Sequence, residues 1–209
     1  MTIEIVLDFA LMYAPSLSAI VDLIFATYVS LCIAGFFRHP DTIGIFADEN
    51  GWFDNHLELF IQTRKNDQLR FGSIIVIAFG NTPACPAKLV KRFITEAHLD
   101  GKHVPLFQGF NGQRNSPTRY STVKPSTTTS AATTCSIASA KATAMPLEEV
   151  TKRYGTQSMH GGGATTVANM EIPDRLFKRH GGWCSDLAKD RYVADSLEKR
   201  LAVTQALGL

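Results

Sequence analysis

Ile172-Pro173-Asp174-Arg175-Leu176-Phe177-Lys178-Arg179-His180-Gly181-Gly182-Trp183, followed shortly by Ala188-Lys189-Asp190-Arg191-Tyr192-Val193, is the stretch that decides how this chain is read. Pro173 stands where a helix begins, because a first-turn residue has no intrahelical use for the N–H that proline lacks. Arg175, Lys178 and Arg179 then put three cations into five positions. Together with Lys189 they can meet the phosphates of a DNA backbone. A charge run by itself describes a solvated helix face equally well. Trp183 precedes Tyr192 by nine positions.

Downstream, Ser196 is placed to cap a last helix running through Leu197, Leu201 and Ala206, since its hydroxyl can accept from an otherwise orphaned N–H. Upstream, Leu147-Glu148-Glu149-Val150 after Pro146 begins a short helix, and Gly161-Gly162-Gly163 reads as the lead-in to a helix from Ala164 to Met170. No G-K-[ST] follows the glycines, so they form no nucleotide-binding loop. His160, His180 and Cys184 match no ligand spacing for zinc, and no metal or cofactor is expected.

The first 112 residues carry the other half of the fold. Leu17 to Phe37 is apolar enough to raise the question of a membrane span. Asp22 interrupts it, Ser18, Thr27 and Ser30 dilute it, and Pro15 precedes it. A buried helix is the reading, with no membrane partner. Leu57 to Gln62 alternates in part, and Ser73 to Phe79 is β-branched and apolar. With the polar connection Thr63 to Gly72 between them they predict an antiparallel hairpin with a charged tip. Ala87 to His98, led by Pro86, reads as a helix. The fold class is therefore α+β: a mostly helical domain with a small antiparallel sheet. It divides into residues 1–112, a Ser/Thr/Ala-rich linker at 113–146, and a helical part at 147–209. The linker has too few large apolar residues to offset the entropy of ordering it, and is expected to be disordered.

Composition narrows the function. In 209 residues, 21 Lys+Arg face 19 Asp+Glu, a net charge of +2, which excludes both a basic nucleic-acid tail and an acidic disordered chain. A local basic patch remains compatible with that balance. The four cysteines, Cys32, Cys85, Cys135 and Cys184, are far apart and form no C-x-x-C, so neither a zinc ribbon nor a disulfide framework is expected. The chain reads as intracellular.

With these residues in place the sequence resembles the tyrosine recombinase (phage-integrase-like) family, especially the recombinase-like proteins of eukaryotic mobile elements. The resemblance is carried by "IPDRLFKRHGGW" and "AKDRYVADSLEKRL", with the spacing of Trp183 and Tyr192, and by "YGTQSMHGGGAT", which is similar to the family's His-x-x-Arg segment. That segment places Gln157 at the His position and His160 at the Arg position. "AGFFRHPD" resembles the stretch bearing the first catalytic arginine, here Arg38, with Asp41 as the acid that supports it. "FIQTRKNDQ" resembles the hairpin of the catalytic lysine, here Lys65. The separate core-binding domain of the family has no counterpart in this sequence.

The resemblance implies a DNA-breaking and rejoining reaction through a 3′-phosphotyrosyl link, without metal or nucleotide. Tyr192 is the implied nucleophile. Arg38 offers a guanidinium fork to the phosphate, Lys65 a proton for the leaving 5′-oxygen, and Trp183 an indole N–H, a donor only. His160 lacks the fork of an arginine, and Gln157 cannot transfer protons, so activity is expected to be impaired. Loss of one such donor costs on the order of 10²–10³ in rate. The rival expectation is a noncatalytic DNA-binding remnant. Double-stranded DNA, a homo-oligomer on DNA, and a nuclear location if the source is eukaryotic complete what the resemblance implies.

Overall fold

The computed structural model describes residues 20–64, 67, 69, 71–107, 149, 156–170 and 172–206. Lys65, the segment 113–146 and, apart from Glu149, the short helix expected at 147–150 lie outside the described residues. The elements in chain order are α1 (Ile20–Ala34), α2 (His39–Ile43), β1 (Asn50–Trp52), β2 (His56–Ile61), β3 (Ser73–Ala78), α3 (Pro86–Glu96), α4 (Thr156–Ala168), α5 (Asp174–Gly181), α6 (Asp186–Asp190) and α7 (Leu197–Gln205).

The central element is α1. Leu23, Ala26, Val29, Leu31 and Cys32 are all buried, and α3 and α4 both lie against it. A helix apolar on most of its circumference belongs in a core. Two polar side chains are buried with them: Thr27 donates to the Leu23 carbonyl at 2.7 Å, and the Ser30 hydroxyl is left without a partner. Among the described residues no helix is long and apolar enough to cross a membrane.

The sheet has the order β1-β2-β3, all antiparallel. Leu57 pairs with Ile77 and Leu59 with Ile75. These four side chains point inward and are buried, while Ile74 and Val76 face out, as the two-residue period of a strand requires. The expected hairpin is thus present, extended by a third strand, β1. Helix α3 starts on Pro86 and buries Leu89, Val90, Phe93 and Ile94.

The triple glycine is not a lead-in. Helix α4 runs straight through it from Thr156, against the sequence expectation of a start at Ala164. The reason is proximity: a Cβ on Gly163 would fall 2.3 Å from the Ile33 carbonyl oxygen of α1. The low helix propensity of glycine is outweighed by the approach of two helix backbones. Helix α5 begins after Pro173 as expected and stops at Gly182, whose φ is +67°. Ser196 caps α7 by accepting from the Lys199 N–H at 3.2 Å.

Two apolar clusters result. The larger joins α1, the sheet, α3 and Met159. The smaller consists of Phe36, Ala164, Phe177 and Trp183, with Val167, Ala188, Tyr192 and Val193 packed against it. It brings together the ends of α1 and α5 with the Tyr192 segment.

Candidate active site

The site begins where α1 ends. Phe37 N–H bonds the Cys32 carbonyl at 2.9 Å and Phe36 N–H the Ile33 carbonyl at 3.4 Å, the paired bonds of a Schellman turn. The left-handed position of that turn, usually glycine, is held by Phe36 with φ +49°. A non-glycine residue there costs about 1–2 kcal/mol. The cost is offset because the Phe36 ring is 3% exposed and packs edge-on to Phe177 and His180.

Three consecutive carbonyls of this turn are each taken by a side chain from elsewhere. His180 Nε2 bonds the Ala34 oxygen at 2.7 Å. Arg64 Nη2 donates to the Gly35 oxygen at 3.5 Å. His160 Nδ1 makes a short bond to the Phe36 oxygen. An acceptor carbonyl requires the imidazole nitrogen to carry the proton, so His160 Nδ1 and His180 Nε2 are the protonated nitrogens. Burial is the largest influence on both imidazoles and lowers their pKa; the carbonyl bonds oppose it, and nearby arginines reinforce it. His160 is therefore a neutral imidazole with a bare Nε2, and that nitrogen is buried with no hydrogen-bond partner.

Arg38 follows the turn and starts α2. Asp41, buried, accepts from the Arg38 backbone N–H at 2.9 Å, so the acid supports the arginine by fixing its main chain. The Arg38 guanidinium carbon lies 5.1 Å from the centre of the Tyr192 ring. The Tyr192 ring meets His160 edge-on with centroids 4.5 Å apart and lies 6.2 Å from Trp183. His160 and Trp183 are 5.6 Å apart. Four residues named from sequence, Arg38, His160, Trp183 and Tyr192, are thus brought together from four separate segments.

Tyr192 is clamped onto α4. Thr165 Oγ1 donates to the Tyr192 carbonyl at 3.2 Å and accepts from Ala194 N–H at 3.2 Å. One turn on, Asn169 binds the Ala194 carbonyl and the Ser196 N–H. Neither residue was singled out from sequence; a polar pair at i, i+4, with Thr165 in the last turn of α4 and Asn169 just past its end, was the available signal.

Arg64 was also missed. Beyond its bond to Gly35 it donates through Nη1 to the His180 carbonyl at 3.2 Å, and its charge sits 5.5 Å over the Phe37 ring. Burial works against its charge, Asp41 supports it, and Arg38 opposes it. Among the described residues, Arg38 Nε, Arg64 Nε and Trp183 Nε1 are buried donors without an acceptor. An unmade bond of this kind costs about 1–3 kcal/mol, and an anionic acceptor would satisfy it.

The remaining sequence candidates lie elsewhere. Gln157 is exposed at the start of α4, outside the aromatic cluster. Arg175 and Arg179 are exposed on α5. Lys178 bonds Asp174 and Asp186, each at 3.0 Å, and Lys189 bonds Asp174 and reaches Asp186 and Asp190. Their charges, expected to face DNA, are met locally by carboxylates that join α5 to α6. These bonds hold Asp174 and Asp186 below the usual carboxylate range and raise both lysines. Among the described residues no group of His, Cys, Asp or Glu is arranged to hold a metal.

No protein-family model and no curated protein matches the chain. Solved structures do. The XerH site-specific recombinase bound to difH substrate, in a pre-cleavage complex, superposes with a TM-score of 0.62 at 11% identity, covering 98% of this chain and 53% of that one. Its post-cleavage complex with palindromic difH gives 0.60 at 14% identity, over 92% and 48%. The Tn1549 transposon integrase in complex with circular intermediate DNA gives 0.54 at 12% identity, over 94% and 61%. This chain spans about half the length of the first two. At such identities the likeness is one of fold, and the fold is the mixed helix-and-sheet domain expected from the resemblance to tyrosine recombinases.

Proposed function

We propose that this chain is the strand-cleaving part of a tyrosine recombinase or integrase, with Tyr192 as nucleophile on duplex DNA. The observation that carries the reading is the pair of buried, acceptor-less N–H groups on Arg38 and Trp183, beside a tyrosine ring 5.1 Å from a guanidinium. A scissile phosphate supplies the missing acceptors.

In this reading the Tyr192 oxygen attacks phosphorus, the P–O5′ bond breaks, and a 3′-phosphotyrosyl link and a free 5′-hydroxyl result. The phenolic proton must leave, and His160, whose buried Nε2 carries an unengaged lone pair and whose ring lies against that of Tyr192, is the base in this reading. The 5′-oxygen takes a proton from Lys65. Charge gathering on the non-bridging oxygens is met by the Arg38 and Trp183 donors, fixed in advance and shielded from water. Because His160 is neutral where the resemblance places an arginine, the rate is reduced. Arg175 and Arg179 supply backbone contacts, the protein acts as a homo-oligomer on DNA, and its setting is a mobile element in a nucleus if the source is eukaryotic.

The test is a nicked DNA whose short 5′ fragment diffuses away after cleavage. The expected result is a covalent protein–DNA adduct that Tyr192→Phe abolishes. DNA binding without any adduct, in a folded protein, favours the noncatalytic remnant, a reading that the exposed position of Gln157 supports.

A further inference from the structure

We propose that Arg64, on the connection between β2 and β3, is the second phosphate-binding guanidinium of the Tyr192 site, its Nε–H donating to a non-bridging oxygen beside Arg38. The inference rests on the reading of this site as a phosphate site and adds a ligand that the motif comparison does not assign.

The hydrogen bonds of the side chain single out one N–H. Nη1 donates to the His180 carbonyl and Nη2 to the Gly35 carbonyl. Two anchors fix the plane of the fork, and the Nε–H is left buried with nothing to donate to. Surrounding residues are shaped to admit the group. A Cβ on Gly182 would fall 2.4 Å from Arg64 Nη1, so the glycine leaves room for it. The next residue is Trp183, whose indole N–H is likewise unpaired.

Charge leads to the same place. The groups that bear on one another here are Arg38, Arg64, Asp41 and the neutral His160. One carboxylate faces two guanidiniums, and one of its oxygens is committed to the Arg38 main chain. The balance is one uncompensated positive charge, beside donors that lack acceptors. A tetrahedral oxyanion supplies both the charge and the acceptors. Position 160, where a cation is expected, offers a lone pair instead. The cation enters from the hairpin, twenty-six positions after Arg38 in the sequence.

The experiment uses the full chain labelled with ¹⁵N and titrated with inorganic phosphate at neutral pH. Arginine Nε–H and tryptophan indole resonances are read separately, and Arg64→Lys identifies the Arg64 peak by its disappearance. The expected result is that the Arg38, Arg64 and Trp183 resonances shift together with one dissociation constant. Arg64→Lys, which keeps a charge but not the fork, should weaken phosphate binding by about tenfold or more. If Arg38 and Trp183 shift while Arg64 stays fixed, Arg64 is a structural staple and the proposal falls, with the phosphate site intact. If none of the three shifts, the phosphate site itself is wrong and the proposal falls with it. Should Arg64→Lys fail to fold, the wild-type titration decides alone, with the Arg64 peak assigned by through-bond correlation to its backbone.

Discussion

His160 and His180 are imidazoles that folding keeps neutral, and this makes stability depend on pH. Both have a folded pKa below the ordinary value of 6.5, as does His39, with burial as the leading cause. Below that value the unfolded chain takes up protons that the folded chain resists. The unfolded state then holds more protons, so stability falls as pH falls. The slope approaches about 1.4 kcal/mol per pH unit for each imidazole fully withheld from protonation. Urea unfolding at pH 7.5 and 5.5 measures it, and His160→Gln should remove one group's share. Above about pH 7.5 the curve should be flat with respect to these groups. Phe36 makes the second residue-scale point. Its backbone is strained and its ring fills the small core, so Phe36→Ala loses the ring without relieving the strain. The expected cost is about 3–5 kcal/mol, read from the urea midpoint.

Among the elements, those with a period were legible in the sequence. The alternation of Leu57, Leu59 and Ile61 against Ile75 and Ile77 exposed the hairpin, and Pro86, Pro173 and Ser196 marked helix starts that the structure keeps. β1 was not legible, because Asn50-Gly51-Trp52 is too short to show alternation. Helix α4 was misread because propensity is local while the contact that favours its glycines is with Ile33 on another helix. It follows that Gly163→Ala forces α1 and α4 apart and should destabilise by about 1–3 kcal/mol, seen as a lower thermal midpoint. Lys178 and Lys189 were read as candidate DNA contacts or as a solvated helix face; Asp174 meets Lys178 at i, i+4 within α5, whereas its bond to Lys189 exists only once α5 and α6 are placed. Asp174→Asn loosens both ion pairs. It should strengthen binding to nonspecific duplex DNA and steepen its salt dependence by one to two counterions, roughly −0.9 in slope per contact. Filter binding across a salt series checks this, and an unchanged slope would show that these lysines stay on Asp186 and Asp190.

On the scale of the whole molecule, the two apolar clusters are joined through the turn at the end of α1. Arg64, His160 and His180 reach it from the hairpin, α4 and α5 and occupy the carbonyls of residues 34–36. Neither half completes the site alone, so the clusters should unfold together. Trp52 reports the sheet and Trp183 the small core. Single-tryptophan variants followed in urea should give coincident transitions, and separated midpoints would show that the turn does not couple them. Sequence alone placed Arg38, His160, Trp183 and Tyr192 on one list by motif, but nothing local in Thr63-Arg64 signals a buried arginine. The same turn also sets an order of events. Its partners lie 29, 124 and 146 positions away, and contacts that close long loops form late in folding. The surroundings of Tyr192 are consequently among the last things the chain assembles. Under the proposed function, a half-folded copy carries no assembled cleavage site, so strand breakage would be confined to molecules that have finished folding.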